Sequence, residues 1–188
     1  ALGHARLSIQ DLSSNGNQPM SSSDNKYYII FNGEIYDFIH HREELVKDGI
    51  KFQSKTDTEV LLQLYIKYGV HFVKKINGIF TICIFDKDKN TLILARDSFG
   101  VKPLYYYIGK EGFAFCSEIK GLKNLIKNEN LNEINAQSIH QYLTFLWCPG
   151  EGTPFKKIFK FSPGELMIIK NGKISNKIKW YHLPNPKT

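Results

Sequence analysis

The chain lacks most of the features that would set it apart from ordinary water-soluble domains. No apolar run reaches the length of a membrane span and no signal-peptide pattern opens the sequence, so a cytoplasmic protein with no membrane partner is expected. Cysteine is scarce. Cys83, Cys116 and Cys148 are an odd number without metal-ligand spacing, which points to reduced thiols and to no metal site. No internal repeat, low-complexity segment or Walker loop occurs. A basic stripe is missing too: the formal charge is +7, but the lysines are scattered among acidic and apolar neighbours, so no nucleic-acid partner is expected.

What remains is a chain of 188 residues, 42% apolar and 23% charged, enough for one domain with a proper core. Tyr27 to Phe31 is a run of β-prone residues that meets Asn32-Gly33, so a buried strand is expected to stop there at a tight turn. Phe38 to Lys47 is helical in pattern, closed by Asp48-Gly49. Thr56-Asp57-Thr58-Glu59 reads as a capping box, with Thr56 capping the amide three residues on and Glu59 reaching back. The helix it opens should bury Val60, Leu61, Leu64, Tyr65 and Tyr68 and close at Gly69.

Three hairpins follow: Phe80–Phe85 with Thr91–Ala95, Leu104–Ile108 with Phe113–Cys116, and Gly164–Ile169 with Lys173–Ile178 around Asn171-Gly172. The first is apolar on both faces, which requires cover on both sides. Ile119–Ile126 and Ala136–Leu146 look helical. His4 to Ile9 reads as a short alternating strand, and Asp11 to Asn25 as a polar loop. Arg96-Asp97 and Lys102-Pro103 are expected in a salt-bridged turn, Ser117 and Glu118 at a helix start, and Leu183 to Thr188 in a linker.

Two places carry chemistry. A strand that passes through Asn32-Gly33 toward a helix leaves an amide side chain and a backbone N–H side by side, and two such donors can hold an oxyanion. Asp57, at a helix start, is a carboxylate that the helix dipole favours and that remains accessible.

Asn32-Gly33-Glu34-Ile35-Tyr36 resembles the signature of class II glutamine amidotransferase domains, above all those of glutamine-hydrolysing asparagine synthetases. Further blocks follow in family order: Leu2–Ile9, Gln18-Pro19-Met20, Thr56–Val60, Asn77–Phe80, Ala95–Tyr105 and Ser117–Lys120. The resemblance implies an α+β fold, a four-layer αββα sandwich of the N-terminal nucleophile hydrolase type. It implies that Arg6 grips the α-carboxylate of glutamine through its guanidinium fork. Asp57 would bind the α-ammonium with Glu34 as second partner, and the Asn32 side chain with the Gly33 N–H would form the oxyanion hole. It also implies that the region of Arg96-Asp97, Lys102-Pro103, Ser117 and Glu118 faces the synthetase domain of the family.

Family members attack glutamine with an N-terminal cysteine whose own α-amine moves the proton. This chain has Ala1 instead; Cys83 and Cys116 lie mid-strand as buried inert thiols and Cys148, expected to be exposed before Pro149-Gly150, has no amine or histidine beside it, so the cysteine segment is expected upstream and the 188-residue chain by itself is expected to be inactive. Residues 1–183 would be the amidotransferase domain and 184–188 a linker toward an ATP-dependent synthetase domain. That second domain would be the partner and would bring ATP and magnesium; this domain needs no cofactor, and a homodimer is compatible with it. Two alternatives stay open: a non-catalytic glutamine-binding or scaffold module, and an amidotransferase domain serving a sugar or an antibiotic precursor.

Overall fold

The structure, a computed structural model, describes residues 1–5, 11 and 13–184. Among these, nine strands form two antiparallel sheets. Strand β1 (Met20–Ser21) lies against β2 (Tyr27–Ile35), which pairs along its whole length with β3 (Gly78–Asp86). A tight turn leads to β4 (Thr91–Arg96). Next come β5 (Tyr105–Gly109), β6 (Gly112–Cys116), β7 (Ile158–Lys160), β8 (Glu165–Lys170) and β9 (Lys173–Lys179). The large sheet runs β1-β2-β3-β4-β8-β9 and the small one β6-β5-β7.

Side-chain alternation divides the interior into three cores. Ile29 and Phe31 of β2, Ile82 and Ile84 of β3, and Ile93 and Ala95 of β4 face one way. There they meet α1 (Phe38–Lys47) and α2 (Asp57–Tyr68), whose Val60, Leu61, Leu64 and Tyr65 are buried. Their neighbours Ile30, Cys83 and Leu94 face the other way, onto Tyr106 of the small sheet and onto Leu104 and Phe161, which flank its strands. Tyr107 and Ile158 leave the far side of that sheet to pack on Leu122 and Ile126, at and just after α3 (Ile119–Leu125). Helices, sheet, sheet and helix thus make four layers, the doubly apolar strands being covered on both faces as their composition requires. One further helix, α4 (Ala136–Phe145), buries only Ser138.

Several expectations are corrected. Asn32-Gly33 does not end β2, which runs on to Ile35 before the turn at Tyr36-Asp37. The glycine serves close approach instead: a Cβ at residue 33 would lie 2.1 Å from the Ile79 carbonyl oxygen and 2.7 Å from Phe80 Cα. Glu59 does not reach back to Thr56. Its carboxylate accepts from Gln53 N (2.8 Å), Ser54 N (2.6 Å) and Ser54 Oγ (2.6 Å), while Thr56 caps Glu59 N as expected (3.3 Å). The Asp11–Asn25 loop contains a 3-10 turn at Ser14–Gly16 and strand β1. Strand β7 has too few residues to show a period and was not anticipated. Most of the expected first strand, and the tail from residue 185, lie outside the described residues.

Arg96 and Asp97 form no ion pair with each other. Asp97 turns its carboxylate on four backbone N–H groups, those of Phe99 and Val101 at 3.0 Å and of Phe80 and Lys102 at 3.2 Å. Arg96 donates to the carbonyls of Lys102 (2.6 Å), Gly100 (2.6 Å) and Phe161 (2.5 Å). Two charges spent on backbone groups pin the turn from 97 to 103 between the sheets. Glu118 is the N-cap residue of α3, with no capping bond from its side chain.

Candidate functional site

The outer edge of β2 is where the site is built. In an antiparallel strand alternate N–H groups point to the same edge. Phe31 N donates to Gln18 Oε1 (2.6 Å) and Ile35 N to Asp57 Oδ2 (3.3 Å), so both turn away from β3. Gly33 lies midway and shares their direction. Its opposite number Phe80 confirms the phase, because Phe80 N is taken by Asp97 on the β4 side. The Gly33 N–H is thus aimed outward, between two donors that are already engaged, and no side chain among the described residues accepts from it.

Asn32 and Glu34 carry the opposite parity, that of Ile30, and face the space between the sheets. Both are exposed and border a cavity of about 1450 Å³ that Gly33 and Asp57 also line. Of the residues singled out in the sequence, Asn32, Gly33, Glu34 and Asp57 therefore share one cavity. Arg6 lies outside the described residues.

Asp57 is the first residue of α2 and is only 6% exposed. Burial raises its carboxyl above the ordinary value, and the nearby Glu34 carboxylate pushes the same way, against the pull of the Ile35 and Thr58 N–H groups. The helix start alone would have lowered it. Desolvation prevails, Asp57 and its neighbours Thr56 and Thr58 all being buried. A cation placed between Asp57 and Glu34 would reverse both effects, so this end of the cavity favours positive charge.

Gln18 was not singled out for a role. Its carbonyl holds Phe31 N, and its amide donates to Thr58 Oγ1 (3.2 Å). One side chain thereby ties the edge beside Gly33 to the helix start beside Asp57. Only its place in the Gln18-Pro19-Met20 block marked it, since a lone glutamine in a polar loop has no period to reveal its partner.

The rest of the cavity runs between the sheets over Ile30, Cys83 and Leu94. Phe113 to Ser117 line it with five consecutive residues, as a strand does when its free edge faces the opening. That strand is β6, the edge of the small sheet. Burial pushes the Cys83 thiol well up, making it a poor nucleophile. Cys116 and Cys148 are half-buried rather than fully buried and exposed respectively, and Cys148 Sγ donates to Ser138 O (3.2 Å). Among the described residues no group of three or more His, Cys, Asp or Glu could hold a metal ion, and no helix is long and apolar enough to cross a membrane.

One free N–H at a strand edge, that of Gly33, and a buried acid at a nearby helix start, Asp57, border a single cavity. Comparison with known proteins gives the family. The profile of the glutamine amidotransferase domain matches residues 1–181, and the chain belongs to that family. It is 41% identical over 168 residues to asparagine synthetase [glutamine-hydrolyzing] 1 of Bacillus subtilis, covering 89% of this chain and 26% of that protein. It is 36% identical over 204 residues to a putative asparagine synthetase [glutamine-hydrolyzing] 2 of Methanocaldococcus jannaschii, covering 99% and 38%. It is also 31% identical to the amidase chry2 of Gibberella zeae, covering 98% and 26%. The chain thus spans between about a quarter and two fifths of these relatives' length. The solved glutamine phosphoribosylpyrophosphate amidotransferase of Bacillus subtilis shares the fold, with a TM-score of 0.69 at 19% identity over 97% of this chain and 35% of that one.

Proposed function

We propose that the cavity binds free glutamine and that the chain is the ammonia-supplying domain of an asparagine synthetase. The observation that carries this reading is the outward Gly33 N–H beside Asn32, set between the Gln18 and Asp57 anchors. Glutamine needs recognition at two ends. Its α-ammonium suits Asp57 and Glu34, its α-carboxylate the fork of Arg6. Its amide carbonyl would then lie against the Asn32 amide and the Gly33 N–H, which stabilise the oxyanion as a nucleophile adds.

The nucleophile in this reading is a cysteine thiol on a strand outside the 188 residues. A strand laid along the β6 edge over Ile30 and Cys83 would fill the length of the cavity and end beside Asn32. The thiol sulfur adds to the amide carbon and its proton passes through the cysteine's α-amine to the leaving nitrogen. The carbon–nitrogen bond then breaks, releasing ammonia. Water hydrolyses the resulting thioester to glutamate and restores the thiol. Aspartate activation by ATP and magnesium belongs to further polypeptide. The fungal amidase among the relatives supports a second reading for that polypeptide, an acceptor other than aspartate.

The test is a chain extended upstream to begin with cysteine, assayed for glutamate and ammonia. Asn32→Ala should lower its kcat by about 10²–10³-fold. Arg6→Lys should raise KM for glutamine in that chain and, in a chain that also carries the synthetase domain, should spare synthesis driven by free ammonia. Absence of glutamine hydrolysis in the extended chain, or full turnover in Asn32→Ala, would overturn the reading.

A further inference from the structure

Helix α2 is seated by residues beyond its first two: Val60, Leu61 and Leu64 are buried in the core against the large sheet. That packing fixes the body of the helix and leaves Asp57 and Thr58 to be placed by polar bonds. Among the described residues, two such links join them to the outer edge of β2. One is direct, Ile35 N donating to Asp57 Oδ2 at 3.3 Å. The other runs through Gln18, which accepts from Phe31 N at 2.6 Å and donates to Thr58 Oγ1 at 3.2 Å. The links leave β2 at Phe31 and Ile35, on either side of Gly33, and reach α2 at adjacent residues. A single hydrogen bond is a pivot about which the helix start can turn. Two bonds anchored at separate points of the strand remove that freedom.

We propose that the Gln18–Thr58 bridge fixes the span between the Gly33 N–H and the Asp57 carboxyl, and that this span sets the length of side chain the cavity accepts. The inference rests on the glutamine reading above and adds to it the residues that tell glutamine from asparagine. The two amino acids carry the same head group and the same amide and differ by one methylene. With its ammonium held at Asp57, asparagine leaves its carbonyl roughly 1 Å short of the Gly33 N–H, a misplacement that costs up to about a hundredfold in rate. A site whose two ends could slide would close up on the shorter ligand, whereas fixed ends cannot. Discrimination by one methylene is ordinarily worth about 10–200-fold, and it is realised only where the walls hold still. Gln18 and Thr58 both border the cavity, and Thr58 is buried, so its hydroxyl offers Gln18 a fixed acceptor. Both act through Gly33 and Asp57, as positioning residues.

The chain extended upstream to begin with cysteine is assayed for ammonia release from L-glutamine and from L-asparagine, with asparagine also measured as an inhibitor of glutamine hydrolysis. Thr58→Val keeps the shape of the side chain and removes the acceptor of the Gln18 amide. It should lower kcat/KM for glutamine about tenfold or more, chiefly through kcat, and leave that for asparagine unchanged or raised. The preference for glutamine should therefore fall by about tenfold or more, and asparagine should inhibit more strongly. Thr58→Ser, which keeps the hydroxyl, should restore the parent preference. A domain that is merely destabilised would lose both activities in the same proportion. Gln18→Leu breaks the bridge from its other end and should relax the preference at least as far, which keeps the test open should Thr58→Val fail to fold. A folded Thr58→Val or Gln18→Leu with the parent preference would overturn the proposal and leave the glutamine reading standing. So would a Thr58→Ser that behaves like Thr58→Val. An extended parent that releases no ammonia from glutamine would overturn the reading of the cavity, and this inference with it.

Discussion

Asp97→Asn should destabilise the protein by about 3–5 kcal/mol, and the figure follows from counting donors. Asp97 is 1% exposed and its two oxygens accept four backbone N–H bonds between them, two each. Asparagine keeps one oxygen and replaces the other by an NH₂ group. Whichever way the amide turns, two backbone donors then face another donor. A buried donor left without an acceptor costs about 1–3 kcal/mol, and the two bonds that survive lose the charge that made them about twice as strong as neutral ones. The amide should turn its oxygen toward Phe80 and Lys102, because Phe80 is fixed in β3 whereas Phe99 and Val101 are exposed and can relax toward water. That relief places the loss at the lower end of the range. Urea unfolding followed by circular dichroism measures it, with an unchanged m-value as the sign that the folded state is otherwise preserved. A loss below about 1 kcal/mol would refute the argument that these four bonds hold the turn.

Glu165 is 8% exposed, its Oε2 has no partner, and burial raises its carboxyl, so the folded state binds this proton more tightly than the unfolded chain. Its contribution to stability is therefore full below the unfolded value and falls as pH rises through the raised one. Glu165→Gln should melt higher than the parent near neutrality and lose that advantage on acidification, in a series of melting curves across about pH 4 to 8. Gly33→Ala should cost more than about 3 kcal/mol by urea unfolding, because the new Cβ would meet Ile79 O at 2.1 Å and β3 cannot withdraw without breaking its ladder. Gln18→Leu, close in volume, should cost about 1–3 kcal/mol by leaving Phe31 N unmet, and a neutral result would show that water replaces the glutamine there.

The helices and hairpins were legible because their signals are local. Phe38–Lys47 matched its helix residue for residue, and Gly49 closes it at φ 90°. Apart from the short β7 and the local bonding of Glu59, the exceptions are long-range. Asn32-Gly33 carries the commonest hairpin signal, yet β3 pairs straight across it, and nothing in the two residues themselves announces a partner strand 47 positions on. Arg96 beside Asp97 reads as an ion pair until the surrounding backbone supplies seven better partners. The four site residues within the described chain were visible through a family motif. Gln18 was not, because its importance lies in joining two segments that the sequence keeps 40 positions apart.

The hydrogen bonds that frame Gly33 have a meaning for solubility as well. Beyond its short contact with β1, β2 has an open flank among the described residues, and an open flank of alternating donors is a template on which another chain can add a strand. Gln18 occupies the donor of Phe31 and Asp57 that of Ile35, so the remaining one stands singly, with no neighbour at the two-residue spacing that strand addition needs. A lone donor can grip one small oxygen but cannot recruit a polypeptide. Losing Gln18 would leave two donors in succession and turn a ligand-sized opening into an adhesive edge.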